Sequence, residues 1–255
     1  MKILAIGDII GSPGRTYLKD NLSSIKKEHN IDFIIANGEN SSGGLGMNQK
    51  AATELFDAGV NAITLGNHTW RKKEILKVID DTRIIRPINY LEGTPGSGYR
   101  IFNFNKKRIL VINALGRIYM DPVSNPYIAV RNAVNSLSQK ADIAILDFHA
   151  EATSEKKAMG FLLDGKVNLV FGTHTHVQTS DSEILPKGTA YITDVGMTGP
   201  KDSIIGADKS TVITSFLTEI PEKRPVASGE CIFNSVLIDI DDSTNKTVSI
   251  TRINK

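Results

Sequence analysis

The sequence predicts an α/β fold built as a layered sandwich of two facing mixed sheets flanked by helices. Three observations predict it. Short apolar runs alternate with segments of helical period along the first third of the chain, a pattern typical of helices packed on a sheet. A stretch crowded with Pro, Gly and Asn then interrupts this alternation, which returns in the second half. The hydrophobic runs therefore fall into two blocks, and each block predicts one sheet.

The first block predicts a β-α-β-α-β unit and a further helix. Its apolar runs are rich in Ile and Ala and are stopped by glycine or a polar residue, as in buried strands. The predicted strands are Lys2–Gly7, Asp32–Asn37 and Ala62–Leu65. The predicted helices run from Ser12 toward His29, from the cap residue Asn48 to Gly59, and over Lys72–Asp80.

The second block begins with a predicted hairpin over Tyr99–Asn113, which turns at Asn105-Lys106-Lys107. Helices and strands then alternate again. The predicted helices are Tyr127–Gln139 and Ser154–Leu163, and the predicted strands are Ile143–Phe148, Leu169–Phe171, Ala190–Thr193, Cys231–Ile240 and Thr247–Arg252. We expect residues 1–255 to form one domain, with a candidate small subdomain or cap around 86–126.

Composition excludes some classes of partner. The formal net charge is +2 and charges of both signs are interleaved, so no basic stripe predicts binding to long nucleic acid. Three short basic clusters are interpreted as solvated helix faces or hairpin tips. They are Arg71-Lys72-Lys73, Lys106-Lys107-Arg108 and Lys156-Lys157.

The single cysteine, Cys231, lies in an apolar run and is interpreted as a buried small hydrophobe. It cannot form an internal disulfide, which fits a reducing compartment. The apolar stretch at the N-terminus is broken by Asp8 and Gly11, too early for a signal peptide or a membrane span. We therefore expect a cytoplasmic protein without a membrane partner. A homo-oligomer is expected from base rates alone.

Polar side chains follow five predicted strands at the points where the strands end. In open α/β sheets, ligands bind outside the carboxyl ends of the strands. The residues at these ends are Asp8, Glu39 with Asn40, Asn67 with His68, His149, and His174 with His176. We therefore expect their side chains to converge on one rim.

Imidazole together with carboxylate is the donor mixture that suits Zn, Mn and Fe. Two such ions roughly 3.5–4 Å apart need a bridging carboxylate, and Glu39 is the best candidate. His174 and His176 are two residues apart, so at a strand end they can point the same way and serve neighbouring ions. The pattern predicts a dinuclear metal centre.

Each element has an ordinary structural explanation when taken alone. Asp8 resembles a turn or cap residue, His68 could follow an Asx-turn, and His149 could be a hydrogen-bonded core histidine. The occurrence of all these residues together at strand ends argues against these separate explanations. Four of the five histidines fall at strand ends, and the fifth, His29, ends a helix where a cation is expected.

These motifs resemble the calcineurin-like metallophosphoesterase superfamily over the chain to about Thr179. That superfamily usually has Asp-x-His in the first motif, where this chain has Ile10, and a bridging Asp, where it has Glu39. Both departures resemble the YmdB-type branch of bacterial phosphodiesterases over nearly the whole chain. The resemblance extends to Gly38-Glu39-Asn40, to Arg86-Pro87 with Gly93-Thr94-Pro95-Gly96, and to Ile192 through Pro200.

The resemblance implies two divalent or mixed-valence transition metal ions, Fe or Mn before Zn. One ion would be held by Asp8, Glu39 and His176, and the other by Glu39, Asn67, His149 and His174. His68 would be the proton donor, and Asn40 would contact the metal centre or the substrate phosphate. Ile10 leaves the Asp8 ion with one protein ligand fewer, so that ion is expected to be the looser one.

The predicted function is a phosphodiesterase in which a hydroxide bridging the two ions attacks phosphorus. The substrate class, small phosphodiesters such as 2′,3′-cyclic nucleotides, follows from the resemblance alone. Two alternatives remain open: a phosphomonoesterase acting on nucleotides or phosphoproteins, and a regulatory protein that binds a nucleotide with little turnover. The Gly-rich segment Met197–Ile205 is interpreted as a loop over the site, an oligomer contact or a surface turn.

Overall fold

A computed structural model describes residues 1–255. Thirteen strands and five α-helices alternate along the chain. The strands are β1 Lys2–Ile9, β2 Phe33–Asn37, β3 Ala62–Thr64, β4 Ile84–Ile85, β5 Tyr99–Phe104, β6 Lys107–Leu115, β7 Ile143–His149, β8 Leu169–Thr173, β9 Glu183–Ile184, β10 Ala190–Ile192, β11 Met197–Pro200, β12 Cys231–Ile240 and β13 Thr247–Asn254. The helices are α1 Gly11–His29, α2 Gln49–Asp57, α3 Pro126–Leu137, α4 Thr153–Leu163 and α5 Lys209–Thr218, with 3₁₀ turns at Lys73–Lys77 and Ser138–Lys140.

The strands form two mixed sheets. The first sheet has the order β13-β12-β11-β1-β2-β3-β4, and the second has the order β5-β6-β7-β8-β10-β9. In the first, β1 runs parallel to β2 and β11 and antiparallel to β12. In the second, β6, β7, β8 and β10 run parallel. The predicted fold class, two mixed sheets flanked by helices, is confirmed.

Alternate residues of β1 show how the two sheets are held together. Ile3 and Ala5 belong to the core between the sheets, where they share a cluster with Ile145 of β7. Leu4 and Ile6 point to the opposite face and belong to the cluster under α1 and α2. Side chains alternate in this way along any strand, so a central strand between two apolar layers is apolar throughout. Each large side chain so buried contributes about 1.5–3 kcal/mol to folding.

Four of the five predicted helices form within one or two residues of their predicted bounds. The first begins at Gly11 rather than at Ser12, and no side chain caps it, because the Gly11 N–H donates to the Asn40 carbonyl instead. The predicted helix over Lys72–Asp80 is wrong. Only a 3₁₀ turn forms at Lys73–Lys77, with no side-chain cap at its start, and the N–H of Val78 closes on Ile75 rather than continuing an α-helix.

Four elements were not predicted: β4, β9, β11 and α5. The first two have two residues each, too few to show a period. β11 consists of Met-Thr-Gly-Pro, a poor strand sequence, and forms because β1 and β12 lie on either side of it. The interpretation of Met197–Ile205 as a lid or surface turn is therefore wrong for its first four residues, which are buried.

Two further expectations need correction. Lys156 is not solvated, because its side chain is 2% exposed and its Nζ lies 2.6 Å from Oδ2 of the buried Asp194. Cys231 is half-buried rather than fully buried. The hairpin turn between β5 and β6 is confirmed, with Asn105 and Lys106 both at positive φ as a tight hairpin requires.

The segment 86–126 carries β5 and β6, which form one edge of the second sheet. Buried Arg86 fixes the loop that precedes them. Its guanidinium donates to the carbonyls of Pro87, Thr94 and Pro95 at 2.7–3.0 Å. No helix of the structure has both the length and the apolar character needed to cross a membrane.

Candidate metal centre

The predicted site residues meet where the two sheets present the carboxyl ends of their strands to a common cleft. β1, β2 and β3 of the first sheet end on one side of it, and β7 and β8 of the second end on the other. Direct side-chain contacts link the eight predicted residues. They are Asp8, Glu39, Asn40, Asn67, His68, His149, His174 and His176. The rim is thus shared between the sheets rather than formed by one.

One group of donor atoms surrounds Nε2 of His149. Oε1 of Glu39 lies 3.1 Å from it, Oδ1 of Asn67 lies 3.0 Å from it, and Nδ1 of His174 lies 3.1 Å from it. Ligand atoms of Glu39, His149 and His174 all lie within 4.8 Å of one another. A carboxylate oxygen, an amide oxygen and two imidazole nitrogens therefore converge, a donor set that fits a transition metal ion.

A second group surrounds Asp8, which is fully buried. Its Oδ1 lies 3.6 Å from Nε2 of His176 and accepts from Nδ2 of Asn40 at 3.3 Å. The same amide nitrogen lies 3.4 Å from Oε1 of Glu39. Glu39 therefore contacts both groups, which is the position that a bridging ligand requires.

The His68 ring is oriented by its neighbours. Its Nδ1 lies 2.7 Å from Oδ1 of Asn40, and its backbone N–H donates to Oε2 of Glu39 at 2.8 Å. These contacts assign the Nδ1 proton to the bond with Asn40. Nε2 of His68 forms no hydrogen bond within the chain, so it is available to a ligand in the cleft.

Each of the three histidines predicted as metal ligands has its other ring nitrogen held by a residue that sequence reasoning missed. Nδ1 of His149 lies 2.8 Å from Oγ1 of Thr173, and Nδ1 of His176 donates to the Ile205 carbonyl at 2.8 Å. Nε2 of His174 lies 3.1 Å from the Glu151 carboxylate. Such partners fix the tautomer and direct the free nitrogen of each ring toward the metal site. In the sequence, Glu151 is indicated only by its position two residues after His149.

Behind His149 lies a buried polar network. Asp147 accepts from the hydroxyls of Thr173 and Thr64 at 2.6 and 2.5 Å and from Nδ2 of Asn37 at 3.1 Å. Burial raises the pKa of Asp147 to about 6, although the nearby His149 acts in the opposite direction. The network holds the Thr173 hydroxyl that in turn orients His149.

Position 66 must be a glycine because the side chains of Glu39 and His149 lie close to its backbone. A Cβ at this position would lie 2.3 Å from Oε2 of Glu39 and 2.5 Å from the His149 ring. Only glycine leaves space for both side chains, which explains the glycine before Asn67.

Electrostatics favours a cation in the cleft. Burial alone would raise the pKa of Asp8 and of Glu39, but nearby imidazoles outweigh it and lower both, that of Glu39 well below its ordinary value. Although burial acts to lower it, the pKa of His149 rises to about 9 because of the adjacent Glu39 charge. Burial and the charge on His149 lower the pKa of His174 to about 3. In the metal-free protein, a protonated His149 thus supplies positive charge where the donor atoms converge.

The turn that carries His174 and His176 has an unusual backbone. Both histidines lie at positive φ, 102° and 63°, conformations that cost on the order of 1–3 kcal/mol each. Two carboxylates hold the turn: Asp8 accepts from the His174 N–H at 3.0 Å, and Asp194 accepts from the Thr175 N–H at 3.1 Å. The buried ion pair with Lys156 fixes Asp194. The spacing of two residues places both rings in the cleft only because this strained turn is stabilised.

The chain matches a known protein family over nearly its whole length. The family model described as "YmdB-like protein" matches residues 4–253. The chain belongs to the YmdB-like family. This confirms the family predicted from the motifs.

Similar proteins cover this YmdB-like chain almost completely. A Bacillus subtilis protein named "2',3'-cyclic-nucleotide 2'-phosphodiesterase" is 48% identical over 99% of this chain and 96% of its own length. A crystal structure of a novel phosphatase from Mycoplasma pneumoniae is 38% identical, with a TM-score of 0.95 over 100% of this chain and 93% of its own. A structure from Staphylococcus aureus, 14% identical with a TM-score of 0.62 over 99% of this chain and 54% of its own, shares the fold alone.

Proposed function

We propose that this YmdB-like protein is a metal-dependent phosphodiesterase that hydrolyses small phosphodiesters, 2′,3′-cyclic nucleotides among them. The observation that carries the proposal is the convergence of carboxylate, amide and imidazole donors in one cleft. The name of the Bacillus subtilis relative supports the substrate class. The protein is an enzyme of the phosphoric ester hydrolase class, in agreement with the names of its relatives.

The donor set fits two ions. Glu39, Asn67, His149 and His174 would hold one, and Asp8, Glu39 and His176 would hold the other. When bound, the ions would activate water as a nucleophile and neutralise negative charge on the phosphoryl oxygens. The mixture of imidazole and carboxylate suits Fe, Mn and Zn, and the family resemblance places Fe and Mn before Zn.

Ile10 makes the Asp8 side of the site the weaker one. Its side chain is buried and packs against the backbone of Gly199 and Gly206, so no donor occupies the position of the usual first-motif histidine. We expect the ion held by Asp8 and His176 to exchange faster than the other one.

The chain's own residues would supply the proton that hydrolysis needs. Water adds its oxygen to phosphorus and loses a proton, one phosphorus–oxygen bond to the ribose breaks, and the departing ribose oxygen takes up a proton. His68 would donate it from Nε2 of the doubly protonated ring, because Asn40 accepts the Nδ1 proton at 2.7 Å and leaves Nε2 free. General acid catalysis of this kind contributes about 10²–10⁴-fold to the rate.

Hydrolysis of 2′,3′-cyclic AMP by the purified protein tests the proposal, with Mn²⁺ added or removed by a chelator. We expect turnover that depends on the metal and is lost in Glu39→Ala. The exposed Glu92 offers a matched control, and Glu92→Ala should keep wild-type turnover. Turnover that survives metal removal, or that survives in Glu39→Ala, would contradict the proposal.

Phosphomonoester hydrolysis is a second candidate, favoured by the description of the Mycoplasma pneumoniae structure as a phosphatase. The same metal chemistry can serve both reactions. Parallel assays on p-nitrophenyl phosphate and bis(p-nitrophenyl) phosphate distinguish them. Faster hydrolysis of the diester supports our proposal, and faster hydrolysis of the monoester supports the alternative.

We also propose that residues 1–255 act as one domain in the cytoplasm. The apolar core between the sheets draws on strands from both halves of the chain, and segment 86–126 adds two strands to the second sheet. The single cysteine fits a reducing compartment. A homo-oligomer is expected on base rates, and light scattering coupled to gel filtration measures it.

A further inference from the structure

A groove of about 600 Å³ opens directly from the metal site. Asn40, His68 and His176 of the candidate metal site line it. Its walls come from the loop after β2, from the residues after His68, and from the segment that includes α5. A groove of this size matches the usual volume of a small-ligand site.

One wall of the groove is apolar and exposed. Leu45, Ile205 and Phe216 line it, and they are 44%, 49% and 71% exposed. These side chains come from three separate parts of the chain, so their convergence is a feature of the fold. A flat aromatic ring beside aliphatic side chains suits a nucleobase, because base stacking on an aromatic ring contributes about 1–3 kcal/mol.

Four cations line the same groove: Arg71, Lys72, Lys223 and Arg224. None of them forms an ion pair, and no carboxylate lines the groove. Several other basic residues are paired, including Arg15 with Glu54 and Arg108 with Asp142. The groove is therefore complementary to an anion. Arg71 and Lys72 were predicted to lie on a solvated face, and the structure places them in this groove.

The number of cations exceeds what a cyclic mononucleotide needs. Such a ligand carries one phosphate, and in the proposed reaction that phosphate lies at the metal site beside His68 and Asn40. The four groove cations would then have no anionic partner. A second phosphate, one nucleotide further along a chain, would provide it.

We propose that the groove binds a short oligoribonucleotide whose 3′ end carries a 2′,3′-cyclic phosphate. The cyclic phosphate lies at the metal site, a base packs on the wall formed by Leu45, Ile205 and Phe216, and the preceding phosphate contacts Lys223 and Arg224. This inference rests on the proposed function and specifies its substrate class. The reaction is the same hydrolysis, and water opens the cyclic ester to a terminal phosphomonoester.

The test compares kcat/KM for 2′,3′-cyclic AMP with kcat/KM for the dinucleotide ApA that ends in a 2′,3′-cyclic phosphate. Charge-assisted hydrogen bonds to a second phosphate and base stacking predict that the wild type prefers the dinucleotide by about ten-fold or more. The double variant Lys223→Ala, Arg224→Ala should lose most of this preference. The matched control, Lys27→Ala with Lys140→Ala, removes two exposed lysines far from the groove and should keep it.

Equal kcat/KM for both substrates in the wild type would overturn the inference and leave the proposed function standing. A double variant that keeps the full preference would also overturn it. Metal-loaded protein that hydrolyses neither substrate would instead contradict the proposed function. In that case, fluorescence anisotropy with 5′-labelled ApA 3′-phosphate and the labelled mononucleotide decides the groove inference: tighter binding of the dinucleotide, lost in the double variant, supports it, and equal binding overturns it.

Discussion

The candidate metal site and the groove beside it are built in opposite ways. In the metal site, Asp8, Glu39 and His149 are fully buried and each charged group faces a partner of opposite sign or a hydrogen-bond donor. In the groove, Phe216 is mostly exposed and the four cations form no ion pair. A buried charge requires a fixed partner of opposite sign or a hydrogen-bond donor within the protein, whereas an exposed charge can obtain its partner from a bound ligand.

This difference indicates separate roles for the two regions: the buried site would bind metal ions, and the groove would select the substrate. Residues that would hold metal ions need orientation before the ions arrive, and the hydrogen bonds between the histidine rings and Thr173, Glu151 and Ile205 provide it. Residues that select a substrate need complementary charge and apolar surface. Changes in the metal site should therefore abolish chemistry or stability, and changes in the groove should alter substrate preference.

The largest expected effect is on turnover in His68→Ala. We expect kcat to fall about 10²–10⁴-fold on 2′,3′-cyclic AMP, because the leaving ribose oxygen loses its proton donor. Metal content, measured by elemental analysis after dialysis, should stay at the wild-type value. His29→Ala, at the end of α1, is the control and should keep full activity. Loss of the metal in His68→Ala would show that His68 is a ligand instead.

The next largest effect is on stability, and it tests whether the buried Lys156–Asp194 pair stabilises the turn that carries His174 and His176. In Lys156→Met, buried Asp194 loses its charge partner, which should reduce the free energy of unfolding by about 3–5 kcal/mol. The neighbouring Lys157 is 41% exposed and pairs with Asp181 on the surface, so Lys157→Met should change stability by less than about 1 kcal/mol. Urea denaturation measures both. Equal effects of the two substitutions would mean that the buried pair does not stabilise the turn.

A third effect concerns pH. The pKa of His149 is raised to about 9 in the metal-free protein, so at neutral pH this imidazole must lose its proton before it can bind a metal. Binding of Mn²⁺ should release at least one proton, and the apparent affinity should rise with pH up to about 9. Calorimetry in buffers with different ionisation enthalpies measures the release. An affinity that stays constant between about pH 7 and about pH 9 would contradict a His149 that is protonated in the metal-free protein and loses this proton on binding the metal.

A smaller effect is expected from Glu151→Gln. The carboxylate lies 3.1 Å from Nε2 of His174 and is half exposed, so its loss should lower metal affinity by about ten-fold. The exposed Glu183 on β9 offers a control for loss of a surface carboxylate, and Glu183→Gln should leave the affinity unchanged. Equal metal affinities in the two variants would show that Glu151 does not orient His174 for metal binding.

The smallest effect is in the groove. Phe216→Ala should raise KM by about five- to ten-fold through lost stacking, with kcat nearly constant, because the ring does not touch the reacting atoms. Leu217 is also exposed on α5 and does not line the groove, so Leu217→Ala is the matched control. A fall in kcat with constant KM would contradict this account of the groove.

Much of the fold and site was predictable because the signals are local. Buried strands such as β1 and β2 are apolar runs, and the polar residues that end them are adjacent in sequence. β11 was not predictable, because its pairing comes from β1 and β12 and not from its own composition. The orienting residues Thr173 and Glu151 were missed for a similar reason, since only the fold shows which nitrogen of each histidine they contact.

We propose that the cleft binds two metal ions that share Glu39. Anomalous diffraction from crystals of the Mn²⁺-loaded protein locates these ions. We expect two anomalous peaks, one contacting Asn67, His149 and His174 and the other contacting Asp8 and His176, with Glu39 contacting both. A single peak, or no peak in this cleft, would contradict the proposal.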